Sequence, residues 1–209
     1  FYGQRIYGDI LTHEFGHLFG IPDFYEEIVP HPLNQVAPIG IEPFNKDIMY
    51  NQSNFYAFSE LSNKYIEKVN KLPIGFGEPN WDLQFTTKEL ILEITDNEGN
   101  PLRGVKTEVF SQRYIPANGR IQRIIPNEVN FTKISDEAGK VLLGNHEQLF
   151  QSYEQQGPFT VTYFGSAAFL RISYDGEVRY SAITRSYLNE LYFQGNQDTA
   201  LVSIPFSSL

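Results

Sequence analysis

Apolar residues recur at intervals of three and four near the start of the chain, and this spacing predicts a helix over residues 5–19. The residues that form the apolar stripe are Ile6, Ile10, Leu11, Phe15, Leu18 and Phe19. Gly20 is expected to end the helix because glycine is the usual residue just past a helix C-terminus. Pro22 follows and prevents the helix from resuming.

A second helix is predicted over residues 58–72, with Ser59 as its N-cap. Its expected buried stripe consists of Leu61, Tyr65, Ile66 and Val69. The segment between the helices, 24–47, carries prolines at positions 30, 32, 38 and 43 and is expected to be a long irregular loop. Residues 73–82 begin with a Pro/Gly-rich stretch, which is typical of a linker between domains.

The apolar pattern changes to period two after Trp81, which predicts short strands. Strand–turn–strand patterns occupy 89–110 and 131–144, and Asp175-Gly176 predicts a tight hairpin. Together they predict an antiparallel sandwich. Residues 111–130 are less regular, and 186–193 fit a helix or a strand.

Composition narrows the possible functions without choosing one. The chain has 209 residues, of which 41% are hydrophobic, so a packed core is expected. Its formal net charge of −9 argues against a nucleic-acid-binding surface. It has no cysteine, which excludes disulfides and thiolate metal ligands, and no apolar run is long enough to span a bilayer.

The first predicted helix carries His13, Glu14 and His17 in the arrangement H-E-x-x-H. Residues four apart lie on one face of a helix, so both imidazoles can reach one metal ion. H-E-x-x-H is a zinc protease signature in which the glutamate serves as general base. Two histidines that simply lie on a helix surface or in its core are the alternative.

A catalytic zinc site needs three protein ligands and a water. Gly20 permits a tight reversal of the chain after the helix, and Asp23 follows three residues later as the candidate third ligand. The stretch from His13 to Asp23 resembles the H-E-x-x-H-x-x-G-x-x-H motif of metzincin metallopeptidases, with aspartate as the last residue. Aspartate at that position is known in snapalysin-like metzincins. The stretch is also similar to the corresponding segment of immune inhibitor A-type secreted bacterial peptidases.

The metzincin resemblance implies further residues around the zinc. These proteins have a turn beneath the metal with a methionine that faces the histidines, and Met49, the single methionine, is in the right order along the chain. In astacin- and serralysin-like members a tyrosine stands two residues after that methionine, where this chain has Asn51. A metal-binding tyrosine is therefore not carried over, and Tyr50 is expected to line a substrate pocket or to pack in the core.

Other acidic and histidine side chains compete for the site. In a gluzincin-type site the third ligand is a glutamate on a later helix, for which Glu42 and Glu60 are candidates by their distance in sequence. Asp23 is preferred because Glu42 lies in the proline-rich segment and Glu60 in the first turn of a predicted helix. His31 and His146 are expected to be surface histidines, although His31 lies close enough in sequence to remain an outside candidate.

The second half resembles a bacterial Ig-like or carboxypeptidase-regulatory-like sandwich over about residues 88–145. The resemblance rests on D-x-x-G-x-P-L-x-G-V from Asp96 and a later D-x-x-G from Asp136. Residues 96–100 carry oxygens like those of a calcium loop, but a plain hairpin turn accounts for them better because the full ligand spacing is absent. In exported enzymes, such regions bind glycans, bind proteins or act as spacers between domains, and the sequence does not choose among these roles.

The sequence as a whole predicts an α+β chain. Residues 1–72 are expected to be the C-terminal part of a metzincin-like catalytic domain, with zinc helix, Met-turn and C-terminal helix, whose sheet and edge strand would precede them. Residues 83–209 are expected to be an all-β accessory region, with a possible division near 150–165.

The resemblance implies a bacterial, secreted or cell-surface endopeptidase that cleaves proteins or peptides with Zn²⁺ and Glu14. Two alternatives are a surface adhesion or spacer protein with an inactive peptidase remnant, and a non-peptidase zinc hydrolase.

Overall fold

A computed structural model describes most of the chain. The described residues are 2–19, 21–43, 47–50, 57–69, 81–117, 120–155 and 161–206. Within them the α-helices are α1 (Tyr2–Leu18), α2 (Glu60–Val69), α3 (His146–Leu149) and α4 (Arg185–Phe193). None of the described helices combines the length and the apolar character that crossing a membrane requires.

Both helices that the apolar spacing predicts are present. The first begins at Tyr2, a little earlier than predicted, and the second begins at Glu60, two residues later than predicted. Residues 70–72 of the second prediction lie outside the described residues. The Ser59 hydroxyl accepts a hydrogen bond from the Ser62 amide at 3.2 Å, as an N-cap does. Gly20, the predicted stop of the first helix, and 73–80 of the predicted linker lie outside the described residues.

The strands follow in the second half of the chain. They are β1 (Glu89–Thr95), β2 (Lys106–Ser111), β3 (Arg113–Ala117), β4 (Arg120–Ile124), β5 (Phe131–Ile134), β6 (Lys140–Gly144), β7 (Ser152–Gln155), β8 (Val161–Phe164), β9 (Ala167–Tyr174), β10 (Glu177–Thr184) and β11 (Thr199–Pro205). One sheet has the order β11-β1-β6 and another the order β10-β9-β2-β5. One apolar cluster contains residues of both sheets, among them Leu92, Val109 and Leu170, so the two sheets share a core.

The prediction of an antiparallel sandwich is wrong at one strand, because β11 runs parallel to β1 from Glu89↔Thr199 to Thr95↔Pro205. Antiparallel neighbours can be joined by a short turn, whereas a parallel partner can come from anywhere further along the chain. The α+β class itself is confirmed, with helices beside sheets that are mostly antiparallel.

The two predicted strand–turn–strand units are not hairpins. β1 and β6 belong to one sheet, whereas β2 and β5 pair with each other in the other sheet. Each turn therefore carries the chain from one sheet to the other. By contrast, the predicted hairpin at Asp175-Gly176 is confirmed: both residues have positive φ, of 48° and 82°, and β9 pairs with β10.

Both crossing turns are built by an aspartate at the first position. Asp96 Oδ1 accepts the amides of Glu98 and Asn100 at 2.9 and 2.8 Å. Asp136 Oδ1 accepts those of Ala138 and Lys140 at 2.9 and 2.8 Å. Hydrogen bonds from nearby backbone amides to the aspartate side chain are the reason that Asp favours turns.

The glycines of these two turns make a matched pair for a stability measurement. Gly99 has φ of 85° in open space, whereas a Cβ on Gly139, at φ of 71°, would lie 2.5 Å from the Ile94 carbonyl oxygen. We expect Gly99→Ala to lower the free energy of unfolding by about 1 kcal/mol, the cost of a left-handed side chain. Gly139→Ala should lower the free energy of unfolding distinctly more, because the added Cβ would force the backbone at Ile94 to move. Urea unfolding of both variants checks this, and equal losses would contradict it.

Three further segments resolve alternatives that the sequence leaves open. Residues 186–193 are helical and belong to α4, which Thr184 caps by accepting the Tyr187 amide. The prediction that residues 83–209 are all β is therefore wrong at α3 and α4. The less regular stretch 111–130 contains the paired strands β3 and β4. Strands on either side of 150–165 share one sheet, because β2 pairs with β9.

The proline-rich segment after α1 packs against the outer face of the four-stranded sheet. It contains short 3-10 helices at Phe24–Glu27 and His31–Leu33. Val29 and Ile41 are buried in one apolar cluster with Phe110 of β2 and Phe169 of β9. As a result β2 is buried on both faces, and the segment that follows α1 packs against the sandwich.

Candidate metal centre

The two motif histidines project from α1 in defined orientations. His13 Nδ1 lies 3.0 Å from the carbonyl oxygen of Ile48, and His17 Nδ1 lies 2.9 Å from that of Ile21. A carbonyl can only accept, so each Nδ1 carries the proton and donates it. In the neutral imidazoles each Nε2 is therefore left with a free lone pair. Fixing of the tautomer by a backbone carbonyl is the usual arrangement for histidine metal ligands.

Asp23 brings a carboxylate oxygen to the same point. The Ile21 amide donates to the Gly16 carbonyl at 3.1 Å, so the chain turns back toward the helix that it has just left. Asp23 Oδ1 then lies 3.1 Å from His13 Nε2 and 3.3 Å from His17 Nε2. This oxygen is buried and has no partner with hydrogen-bond geometry.

Three lone-pair atoms thus converge with no donor between them when both imidazoles are neutral. Such an arrangement is repulsive unless a cation or a proton is shared by the group. Within the described residues, His13, His17 and Asp23 form the one group of three side chains suited to hold a metal ion.

The pKa values of the group reflect this proximity. The contact with Asp23 raises the pKa of His17, against the opposing effect of burial. Burial opposes ionisation of Asp23, but the contacts with His17 and Tyr25 outweigh it and lower the pKa of the carboxyl. Asp23 is therefore an anion near neutral pH, which is the form that binds a metal.

Met49 lies in a tight turn that packs against α1. The Tyr50 amide donates to the Asp47 carbonyl at 3.0 Å, and Asp47 Oδ1 accepts the Met49 amide at 2.8 Å. Met49 is 0% exposed, and a Cβ added to Gly16 would lie 2.5 Å from its sulfur. The turn also supplies the Ile48 carbonyl to His13, so it orients one of the histidines directly.

The remaining predicted residues of the centre occupy different environments. Glu14 is exposed on α1, near enough to His17 for its charge to help raise that pKa. Tyr50 is half-buried and packs against the apolar cluster that contains Met49. Asn51 lies outside the described residues.

The competing ligands are placed elsewhere. Glu42 is exposed, and Glu60 pairs with Lys64 at 3.3 Å within α2. His31 is exposed in its 3-10 helix. His146 is half-buried rather than a surface residue, because its Nδ1 lies 2.8 Å from the Thr86 hydroxyl, and burial lowers its pKa.

Tyr25 is a member of the site that the sequence analysis does not identify. Its hydroxyl donates to Asp23 Oδ2 at 2.7 Å. Its ring stacks on that of His13, with 6.3 Å between centroids and 16° between planes. The available signal was its position two residues after Asp23, from which a tyrosine in a short turn can reach back to the carboxylate.

The second half of the chain contacts the 3-10 helix that follows Asp23. Gln112 Nε2 donates to the Glu26 carbonyl at 3.0 Å. Glu27, 2% exposed, accepts the amide and the hydroxyl of Ser186 at 2.5 and 2.6 Å, at the N-terminus of α4. Burial raises the pKa of Glu27 to about 7, against the stabilising hydrogen bonds from Ser186.

Comparison with known protein families and curated proteins gave no match. No protein-family model matches the chain, and no curated protein matches its sequence.

Proposed function

We propose that this chain is part of a zinc-dependent endopeptidase in which His13, His17 and Asp23 bind the metal and Glu14 is the general base. The observation that carries the proposal is the convergence of His13 Nε2, His17 Nε2 and Asp23 Oδ1, with both Nδ1 atoms committed to carbonyls. Histidine side chains at i and i+4 with a glutamate directly after the first are typical of zinc peptidases.

The donor set fits zinc. Imidazole nitrogens and carboxylate oxygens are both ligands that Zn²⁺ accepts, and three protein ligands leave a position for water, as catalytic sites require. Thiolates are absent from the chain, so a structural four-cysteine site is excluded. Two neutral imidazoles and one carboxylate would leave a complex of about +1 charge, which favours binding of an electron-rich carbonyl.

The protein residues have separate tasks in the proposed reaction. When bound, zinc would lower the pKa of water and polarise the scissile carbonyl. Glu14 is exposed and therefore free to accept the proton of the attacking water and to pass it to the leaving amine. His13 and His17 each donate from Nδ1 to a backbone carbonyl and face the proposed metal position with Nε2, so neither is available for that proton transfer.

The similarity of residues 13–25 to secreted bacterial peptidases supports extracellular proteins or peptides as substrates and a secreted or cell-surface location. The alternative function, an adhesion or spacer protein with an inactive peptidase remnant, requires that the metal or the base no longer works. The proposal and the alternative therefore differ first in metal binding.

Zinc analysis of histidine variants tests the proposal. The wild-type protein, purified without chelator and dialysed against zinc, should hold about one zinc per chain. His17→Ala should hold none, since it removes a ligand from a side chain that is 34% exposed and contributes little to the core. Elemental analysis and circular dichroism of the same samples provide the measurement.

His31→Ala is the matched control because His31 is an exposed histidine on the segment that follows the site. It should keep the zinc of the wild type. Absence of zinc from the wild type, or its retention in a folded His17→Ala variant, would contradict the proposal.

A further inference from the structure

The side chain of Tyr25 touches two of the three proposed ligands. It donates to the outer oxygen of Asp23, Oδ2, at 2.7 Å, and its ring faces that of His13. A carboxylate has two oxygens that compete for the same cation. Occupying Oδ2 with a hydrogen bond leaves Oδ1 alone turned toward the two imidazole nitrogens.

Tyr25 is itself held by the backbone of its 3-10 helix. The Phe24 amide donates to the Met49 carbonyl at 3.1 Å, and the Ile28 amide donates to that of Tyr25 at 3.2 Å. The backbone that carries Tyr25 is therefore fixed relative to the turn that orients His13. A fixed donor can orient a carboxylate, whereas a mobile one would follow it.

Arg123 on β4 covers Tyr25 on the side of the second half. The Arg123 guanidinium carbon lies 5.7 Å from the centroid of the Tyr25 ring and 5.9 Å from that of Tyr114. The Arg123 guanidinium also lies 3.7 Å from a Glu26 carboxylate oxygen. A cation over an aromatic face attracts the ring and restricts its motion.

We propose that Tyr25 is a positioning residue of the metal centre: it orients Asp23 so that Oδ1 alone binds the cation. The inference rests on the proposed function, because Tyr25 can have this role only if the site binds the metal of the proposed enzyme. Groups that hold a metal ligand in place typically contribute 10–100-fold to metal affinity. A tyrosine that only packs would contribute through its ring, which phenylalanine retains.

The experiment compares Tyr25→Phe with the wild type and with Tyr180→Phe. Tyr180, on β10, stacks on Phe169 and serves as a control for loss of a tyrosine hydroxyl far from the site. Zinc affinity is measured by competition with a chromophoric chelator, and thermal unfolding is measured in the metal-free proteins. The absorption spectrum of the Co²⁺-loaded proteins reports the geometry of the ligands.

Tyr25→Phe should bind zinc about 10–100-fold more weakly than the wild type and Tyr180→Phe, with an altered Co²⁺ spectrum. Its metal-free unfolding temperature should lie only a few degrees below that of Tyr180→Phe, the effect of losing one hydrogen bond. Equal zinc affinity of the two variants would overturn the inference while leaving the proposed function intact. Weaker binding by a metal-free variant that is largely unfolded at the temperature of the binding assay would also overturn it, since Tyr25 would then support the fold. If the wild type binds no zinc, the proposed function fails first.

Discussion

Replacing Glu14 with glutamine should reduce proteolysis by about 10²–10⁴-fold, the usual contribution of a general base. Glutamine has nearly the shape of glutamate but accepts no proton at neutral pH. The exposed side chain of Glu14 carries no part of the core, so the fold should persist. Zinc content should also persist, because the three ligand atoms belong to other residues.

Digestion of casein or gelatin by the full-length protein, with zinc measured on the same samples, tests this expectation. Glu67→Gln, which alters an exposed glutamate of α2, is the control and should digest like the wild type. Equal rates for wild type and Glu14→Gln would exclude Glu14 as the base. Loss of zinc together with activity would identify Glu14 as a ligand. No digestion by a zinc-loaded wild type would favour the adhesion or spacer function.

The buried carboxyl of Glu27 should make stability fall as the pH rises from 4.5 through about 7. Its pKa in the folded protein is about 7, whereas its ordinary value is 4.5. In that interval the folded protein keeps a proton that the unfolded chain releases, so a rising pH favours unfolding. Stability from this group is complete below pH 4.5 and lost above 7, by about 3 kcal/mol at about 1.4 kcal/mol per pKa unit.

Glu27→Gln isolates this effect because glutamine stays neutral and can still accept the Ser186 amide. Other charges that face Glu27, chiefly Arg185 and through it Asp82, remain in both proteins. We expect the difference in unfolding free energy between variant and wild type to grow in favour of the variant from pH 4.5 to 8. Urea unfolding across that range measures it, and a difference that does not change with pH would contradict the expected pKa.

Local signals accounted for the parts of the molecule that a few neighbouring residues determine. The apolar spacing before Gly20 gave α1, and Asp175-Gly176 gave a hairpin because both residues tolerate positive φ. The spacing of His13, His17 and Asp23 led to three side chains that do lie together. Each of these depends on residues close in sequence.

Features that depend on distant residues were not predictable. The turns at Asp96 and Asp136 have the sequence of hairpin turns, yet each joins strands of two different sheets, and β2 in one of these sheets is buried on both faces. That burial requires Val29 and Ile41, which lie far away in the sequence. The carbonyls that orient the two histidines belong to the backbone of Ile48 and Ile21. A sequence motif specifies side chains and therefore could not predict these contacts.

The packing of the segment after Asp23 against the sandwich limits how such a chain could recombine during evolution. A different accessory region joined at residue 81 would have to offer an apolar sheet face to Ile41 and a donor like Gln112 to the Glu26 carbonyl. It would also need a helix N-terminus to receive Glu27. Without these, the segment that carries Asp23 would lose its support. The two halves are therefore expected to be inherited together, rather than exchanged as separate modules.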